Sequence, residues 1–312
     1  MAKRKNRGRR TQREPSQLTL AQAYQTLSES IVGFAQNSFP PGETAPDFPR
    51  IFATGFVVRR DGIIATNDHV VRHIIGHKYY RAPDLPDDDL GIRVVTLHNT
   101  EPGLIFVKLR VLSHALCAGF RTTEHYYGPS SPNIAFVQVN AAALTPVRFD
   151  DATPSMGADI AIAGYPTGDD LLTAPGHLHH ISPTLQRGIV SAVLPFASRY
   201  PHALMVDIMT LGGESGSPVF QPHTGRVVGM VCSGFTDDLS TSIEHPHDEA
   251  DTPHTHTLKI PTNFTYVVPS RLILGAMATP DVPNWRLPPE TETLATKVDR
   301  QRTRPVIIPR RP

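Results

Sequence analysis

The chain has 312 residues, 39% of them apolar, and 30 Lys and Arg against 29 Asp and Glu give a formal net charge of +1. That is enough apolar material for a buried core, yet no run approaches the ~20 apolar residues of a bilayer-crossing helix, so no membrane span is expected. Two cysteines, Cys117 and Cys232, make no disulfide framework, which argues against a secreted, cross-linked scaffold.

Charge is unevenly spread along the chain. Residues 1–14 carry seven Lys or Arg against Glu14, and residues 297–312 carry six against Asp299, leaving residues 15–296 net acidic. Neither basic end has an apolar face, and the second is rich in proline, so both are expected to be disordered. Nuclear import, loose nucleic-acid contact through the arms and a solubilising tail all remain open. Thr11 to Thr19 is polar where a signal peptide needs an apolar stretch. The expected location is therefore intracellular, nuclear or cytoplasmic before organellar, and not secreted.

Thirty prolines, most of them punctuating loops, argue for many short strands. Helix is expected only over residues 21–29, 69–76 and 269–278. Two apolar runs, Gly55 to Val58 and Ile63 to Thr66, flank Asp61-Gly62, a dipeptide suited to the positive φ of a hairpin turn. The second run leads through Asn67-Asp68 to His69, at a strand end where a side chain can project into a cleft. Asp84, Asp87, Asp88 and Asp89 then form a proline-broken acidic cluster that reads as a solvated loop. Asn133-Ile134-Ala135-Phe136-Val137-Gln138-Val139 and Asp159-Ile160-Ala161-Ile162-Ala163-Gly164 are further strands, with Asp159 an ordinary strand-start aspartate.

Gly213-Glu214-Ser215-Gly216-Ser217-Pro218 is the segment with the clearest chemistry. A serine in a glycine-flanked tight turn exposes its hydroxyl, and the surrounding backbone can aim the Gly213 and Ser215 N–H groups at one point. A nucleophile beside an oxyanion hole needs that arrangement. Histidines also recur as His177, His179 and His180, and as His245, His247, His254 and His256. They sit in Pro-, Thr- and Asp-rich stretches without cysteine and read as loop histidines, so no metal or other cofactor is expected.

Taken together, these segments resemble the trypsin-like serine proteases of chymotrypsin fold, closest to the HtrA (Do-like) branch. The resemblance runs over about residues 28–278. It rests on the opening strand at Ser28 to Gly33, the histidine segment from Gly55 to Val71, the strand from Asn133 and that from Ile160 to Pro166. It extends through Arg187 to Ser191, Asp207, the Ser215 turn, Val227 to Val231, and Ile260 to Phe264. It implies an all-β fold of two packed six-stranded antiparallel barrels, the first over about 28–150 and the second over about 155–278. A basic arm (1–17) precedes this domain (18–278), and a Pro/Arg-rich tail (279–312) follows it. Only about 34 residues follow Ala278, too few for a PDZ domain.

The resemblance implies a serine endopeptidase acting on protein or peptide substrates, with Ser215 as nucleophile and His69 as proton shuttle. The oxyanion would be held by Gly213 and Ser215. Asn133 falls where the family has its triad aspartate. An amide is isosteric with a carboxylate but neutral, so low activity is expected. The alternative is a catalytically inactive homologue that grips a peptide or partner protein. Met209 would form the floor of the primary specificity pocket, with Cys232, Ser233 and Gly234 as one wall, which disfavours Arg or Lys at the cleavage point. Glu214 is expected to face solvent. Oligomeric state leaves no signal in the sequence.

Overall fold

The structure, a computed structural model, describes residues 17–36, 50–76, 91–100, 103–117, 127–129, 131–166, 182–198, 200–243, 254–278 and 281–302. The basic arm, the Asp84–Asp89 cluster, and the histidines at 177, 179, 180, 245 and 247 lie outside the described residues.

Twelve named strands close into two six-stranded antiparallel barrels. The first contains β1 (Ile31–Gln36), β2 (Ile51–Arg59), β3 (Ile63–Thr66), β4 (Ile92–Thr100), β5 (Gly103–Leu116) and β6 (Ala135–Val139), in the order β1-β2-β3-β6-β5-β4. The second contains β7 (Asp159–Gly164), β8 (Thr184–Leu194), β9 (Ala203–Val206), β10 (Pro218–Phe220), β11 (Val227–Ile243) and β12 (His254–Pro269), in the order β10-β11-β12-β9-β8-β7. This is the chymotrypsin-like architecture that the family resemblance implies. Closure removes the open sheet edges that would otherwise invite pairing with other chains.

Apolar side chains fill three regions. Val32, Phe34, Val57, Ile64, Val94, Leu109 and Val137 pack inside the first barrel, and Ile160, Ile162, Leu204, Val206, Val219 and Val267 inside the second. Phe56, Ile134, Phe136, Ala161, Tyr165, Phe220, Met230 and Cys232 form a third cluster with residues of both barrels. That shared core presses the barrels together, and the candidate site lies along it. The β2–β3 hairpin turns through Gly62 at φ 81, the left-handed conformation glycine adopts freely. A Cβ there would meet the Val139 carbonyl at 2.6 Å.

The expected helices form as α1 (Leu20–Ser28), α2 (Asp68–Gly76) and α3 (Ser270–Met277). Thr19 caps α1 through a reciprocal bond with Gln22, which satisfies two otherwise orphaned N–H groups. Two further helices, α4 (Asp281–Asn284) and α5 (Leu294–Arg302), were not expected. The expectation of disorder thus fails for 297–302. Leu294 and Val298, four apart on one face of α5, are buried in the core of the first barrel, and Leu294 N–H donates to the Ala142 carbonyl at 2.9 Å. Lys297 and Arg300 both pair with Glu292, whose carboxyl is held below its ordinary range chiefly by the Arg300 guanidinium.

Leu294→Ala should therefore lower the stability of the full chain by about 2 kcal/mol or more, as expected for a cavity at a core position. Urea denaturation of the two proteins measures the difference; an unchanged midpoint would mean that α5 is merely adherent.

Candidate active site

His69 stands in the first turn of α2, immediately after β3 leaves the barrel. The next residue along the helix axis toward the core, Val70, is buried, while His69 itself is exposed. Asp68 pairs with Arg72 one turn later, so that carboxylate is already engaged. Asn133 precedes β6, whose Ala135 pairs with Thr66 of β3, and this register brings Asn133 beside the start of α2. Its φ is 57, in the left-handed region where Asn and Asp are enriched among non-glycine residues.

Asn133 and His69 are hydrogen-bonded. The backbone N–H of His69 donates to Asn133 Oδ1 at 3.1 Å, and His69 Nδ1 lies 3.2 Å from that oxygen and 3.0 Å from Nδ2. A backbone N–H can only donate, so it assigns the amide oxygen to the histidine side. Asn133 Nδ2 then donates to Cys232 Sγ at 3.0 Å. Sulfur is a weak acceptor, and burial pushes the Cys232 thiol up in pKa, so it stays protonated. Asn67 Nδ2 donates to the Asn133 carbonyl at 3.1 Å and tethers the backbone.

Ser215 enters from the second barrel, in the turn before β10. Its Oγ donates to the Cys232 carbonyl at 3.4 Å. Cys232 of β11 thus touches both Ser215 and Asn133, one through its carbonyl and the other through its sulfur. Gly213 and Gly216 adopt φ 90 and 88, conformations that side chains rarely accept. The turn is tightly held by Glu214 N–H to the Leu211 carbonyl (3.3 Å), Ser217 N–H to the Glu214 carbonyl (2.9 Å) and Gly216 N–H to the Val231 carbonyl (3.0 Å). Among the described residues, the Gly213 and Ser215 N–H groups donate to nothing. Two unengaged donors beside a serine hydroxyl can receive a developing oxyanion.

Glu214 does not face solvent, contrary to the sequence expectation. It is fully buried, with Oε1 accepting from Gln186 Nε2 at 2.9 Å and Oε2 from Leu211 N–H at 2.9 Å. Burial raises its pKa from the ordinary 4.5 to about 6, and the two hydrogen bonds oppose that rise. The side chain therefore braces the turn from within the second barrel. Nothing in the local sequence signals this, because Gln186 lies on β8.

Met209 is 43% exposed, while Cys232 is buried and Ser233 and Gly234 are exposed beyond it on β11. Phe235, Ile260 and Phe264 add exposed apolar surface along β11 and β12. Asp159 is the strand-start residue it was read as, paired with Arg187 at 3.2 Å and His223 at 3.4 Å in the second barrel, with its pKa lowered chiefly by the Arg187 hydrogen bond. His254 and His256 belong to β12. Among the described residues, no group of His, Cys, Asp and Glu is arranged to hold a metal ion, and no helix is long and apolar enough to cross a membrane.

The family model of the trypsin-like peptidase domain matches residues 53–230, and the chain belongs to this family of peptidases. The match spans the His69, Asn133 and Ser215 segments together. Among solved structures, the chain is similar to the HtrA-type protease AlgW with a tripeptide (12% identity, TM-score 0.44, covering 82% of this chain and 61% of that one). It is also similar to a variant of that protease with a decapeptide (12%, 0.46, 82% and 65%) and to Rv3671c from M. tuberculosis H37Rv in an inactive form (15%, 0.43, 82% and 88%). The chain thus spans less than two thirds of the length of the AlgW chains. No curated protein matches it.

The raised pKa of Glu214 has a definite sign in stability. A carboxyl whose folded pKa is raised contributes its full stability below the ordinary value and loses it as pH rises through the folded value. The window here runs from about 4.5 to about 6, and the shift corresponds to roughly 2 kcal/mol. Thermal melts should show wild type losing ground to Glu214→Gln across that window. A gap between the two that stays constant with pH contradicts the assignment.

Proposed function

We propose that the chain is a serine endopeptidase of low turnover, with Ser215 as nucleophile, His69 as general base and then acid, and Asn133 as the group that orients His69. The observation that carries this reading is the pair of unengaged N–H groups at Gly213 and Ser215, on a turn that meets the His69–Asn133 pair through Cys232.

Ser215 Oγ, turned away from the Cys232 carbonyl by rotation about its Cα–Cβ bond, attacks the peptide carbonyl carbon as His69 Nε2 takes its proton. The carbonyl π electrons pass to the oxygen, and the oxyanion accepts from the Gly213 and Ser215 N–H groups. Collapse breaks the C–N bond, His69 returns the proton to the leaving amine, and water hydrolyses the acyl-enzyme with His69 again as base.

Asn133 Oδ1 accepts from His69 Nδ1–H and leaves Nε2 free. Being neutral, it gives no charge to the imidazolium that forms during attack. In a related protease, replacing the triad aspartate by asparagine costs about 10⁴ in turnover, and the oxyanion hole and binding alone leave ~10³–10⁴ over water. The nearly equal distances from Nδ1 to Oδ1 and Nδ2 add a second cost, because Nδ2 can hold the histidine in the unproductive tautomer. That neutral amide is also what favours the second reading, a binding protein that keeps the cleft and does not cut.

A fluorophosphonate should label Ser215, with labelling lost in Ser215→Ala and accelerated at least about tenfold in Asn133→Asp, since a restored carboxylate regains part of the ~10⁴ factor. Aspartate tolerates the left-handed backbone at this position, so the variant tests charge and not folding. No labelling of wild type or of Asn133→Asp favours the binding protein.

The apolar Met209 at the pocket floor selects a medium aliphatic or aromatic side chain. A peptide library should be cut after Leu, Val or Phe; cuts confined to positions after Arg contradict that pocket.

A further inference from the structure

The residue that ties the nucleophile turn to the opposite barrel is Thr54 of β2. It is fully buried, and all of its polar groups are committed. Its N–H donates to the Ser215 carbonyl at 3.0 Å. Its Oγ1 donates to the Gly213 carbonyl at 2.8 Å and accepts from Tyr165 N–H at 2.9 Å. Its own carbonyl accepts from Thr66 Oγ1 at 2.8 Å. The approach is close enough to exclude any side chain at Gly216, where a Cβ would lie 2.0 Å from the Thr54 carbonyl.

These bonds bear on specific peptide planes. The Gly213–Glu214 plane is held by the Thr54 hydroxyl and the Leu211 carbonyl, the Glu214–Ser215 plane by Ser217 N–H, and the Ser215–Gly216 plane by Thr54 N–H and the Val231 carbonyl. Of these holds, only the Thr54 hydroxyl belongs to a side chain. It also carries the greatest consequence, because Gly213 at φ 90 has no Cβ to resist rotation of its own peptide. The Gly213–Glu214 plane joins the Gly212–Gly213 plane, which carries the Gly213 N–H, to the Glu214–Ser215 plane, which carries the Ser215 N–H, so without the Thr54 bond the two donors lose their fixed relation. Tyr165 N–H, donating from β7's end, fixes the Thr54 hydroxyl proton on the Gly213 side, since the oxygen is already accepting from the other direction.

We propose that Thr54 is a positioning residue for the reaction, whose hydroxyl locks the Gly213–Glu214 peptide from across the barrel seam and so fixes the planes on either side of it, which carry the two oxyanion donors. The inference rests on the reading of Ser215 as nucleophile.

Thr54→Val preserves shape and the N–H bond to Ser215 but leaves the Gly213 carbonyl and Tyr165 N–H without their shared partner. Thr54→Ser restores the hydroxyl. Fluorophosphonate labelling of the full chain separates binding of the reagent from the maximal rate of phosphonylation. Loss of one oxyanion donor costs about 10²–10³ in rate, so Thr54→Val should lower the maximal rate at least about thirtyfold with reagent binding within about threefold of wild type. Thr54→Ser should recover most of that rate even where its thermal melt stays below wild type, which a purely structural role would not produce.

Should Thr54→Val fail to fold, Thr54→Cys, similar in size with a weaker donor, should fall between wild type and the full loss. Folded Thr54→Val or Thr54→Cys labelled at the wild-type maximal rate overturns the inference, as does a Thr54→Ser rate as low as that of Thr54→Val. Wild type that is not labelled at Ser215 overturns the nucleophile reading first, and the two failures are thereby distinguished.

Discussion

The seam between the two barrels is the constraint on which the site depends. Neither barrel holds all the groups of the proposed centre, because His69 and Asn133 come from the first and Ser215 with its two amide donors from the second. What closes the gap is a backbone approach that only glycine permits, with Gly216 against Thr54 and Thr66. Gly164 makes a second close approach across the seam, since a Cβ there would lie 3.1 Å from Thr54 Oγ1. The shared apolar cluster around Phe56, Phe136, Phe220 and Met230 drives the barrels together. The hydrogen bonds then set which way the turn faces. Burial gives the contact its strength without direction, and the polar links give it geometry.

Within that frame, the asparagine is a local problem with a local solution. A carboxylate accepts from any side and needs no orienting. An amide must be turned the right way, and here two groups act on it, His69 N–H at Oδ1 and Cys232 sulfur at Nδ2, while Asn67 Nδ2 holds the Asn133 backbone carbonyl. Orientation can thus be recovered without charge. Charge is the component that no neighbour replaces among the described residues, because Asp68 is engaged with Arg72 and Asp159 lies in the other barrel with Arg187. The low turnover proposed for this chain follows from that distinction.

Much of the architecture was legible because it is written in short-range patterns. Asp61-Gly62 between two apolar runs gave the hairpin, and the apolar run after Asn133 gave β6. The glycines around Ser215 announced a strained turn, and Gly213 and Gly216 do adopt positive φ. The misreadings share one physical cause. Glu214 looked solvated because its partner Gln186 is 28 residues away on another strand, and only the closed barrel brings them together. Helix α5 looked like tail because its apolar content is just Leu294 and Val298, and its stability comes from docking onto β5 and not from its own propensity. Thr54, one hydroxyl in an apolar strand, gave no hint that it reaches across the seam.

The most direct test of the account is alkylation by a peptide chloromethyl ketone ending in leucine, mapped by tandem mass spectrometry on the full chain. If the hydroxyl and the imidazole meet at one carbonyl, the reagent modifies His69 selectively among the fifteen histidines, and the modification disappears in Ser215→Ala. Alkylation spread over several histidines, or alkylation of His69 that is indifferent to Ser215, would show that the two side chains do not act on a common substrate atom.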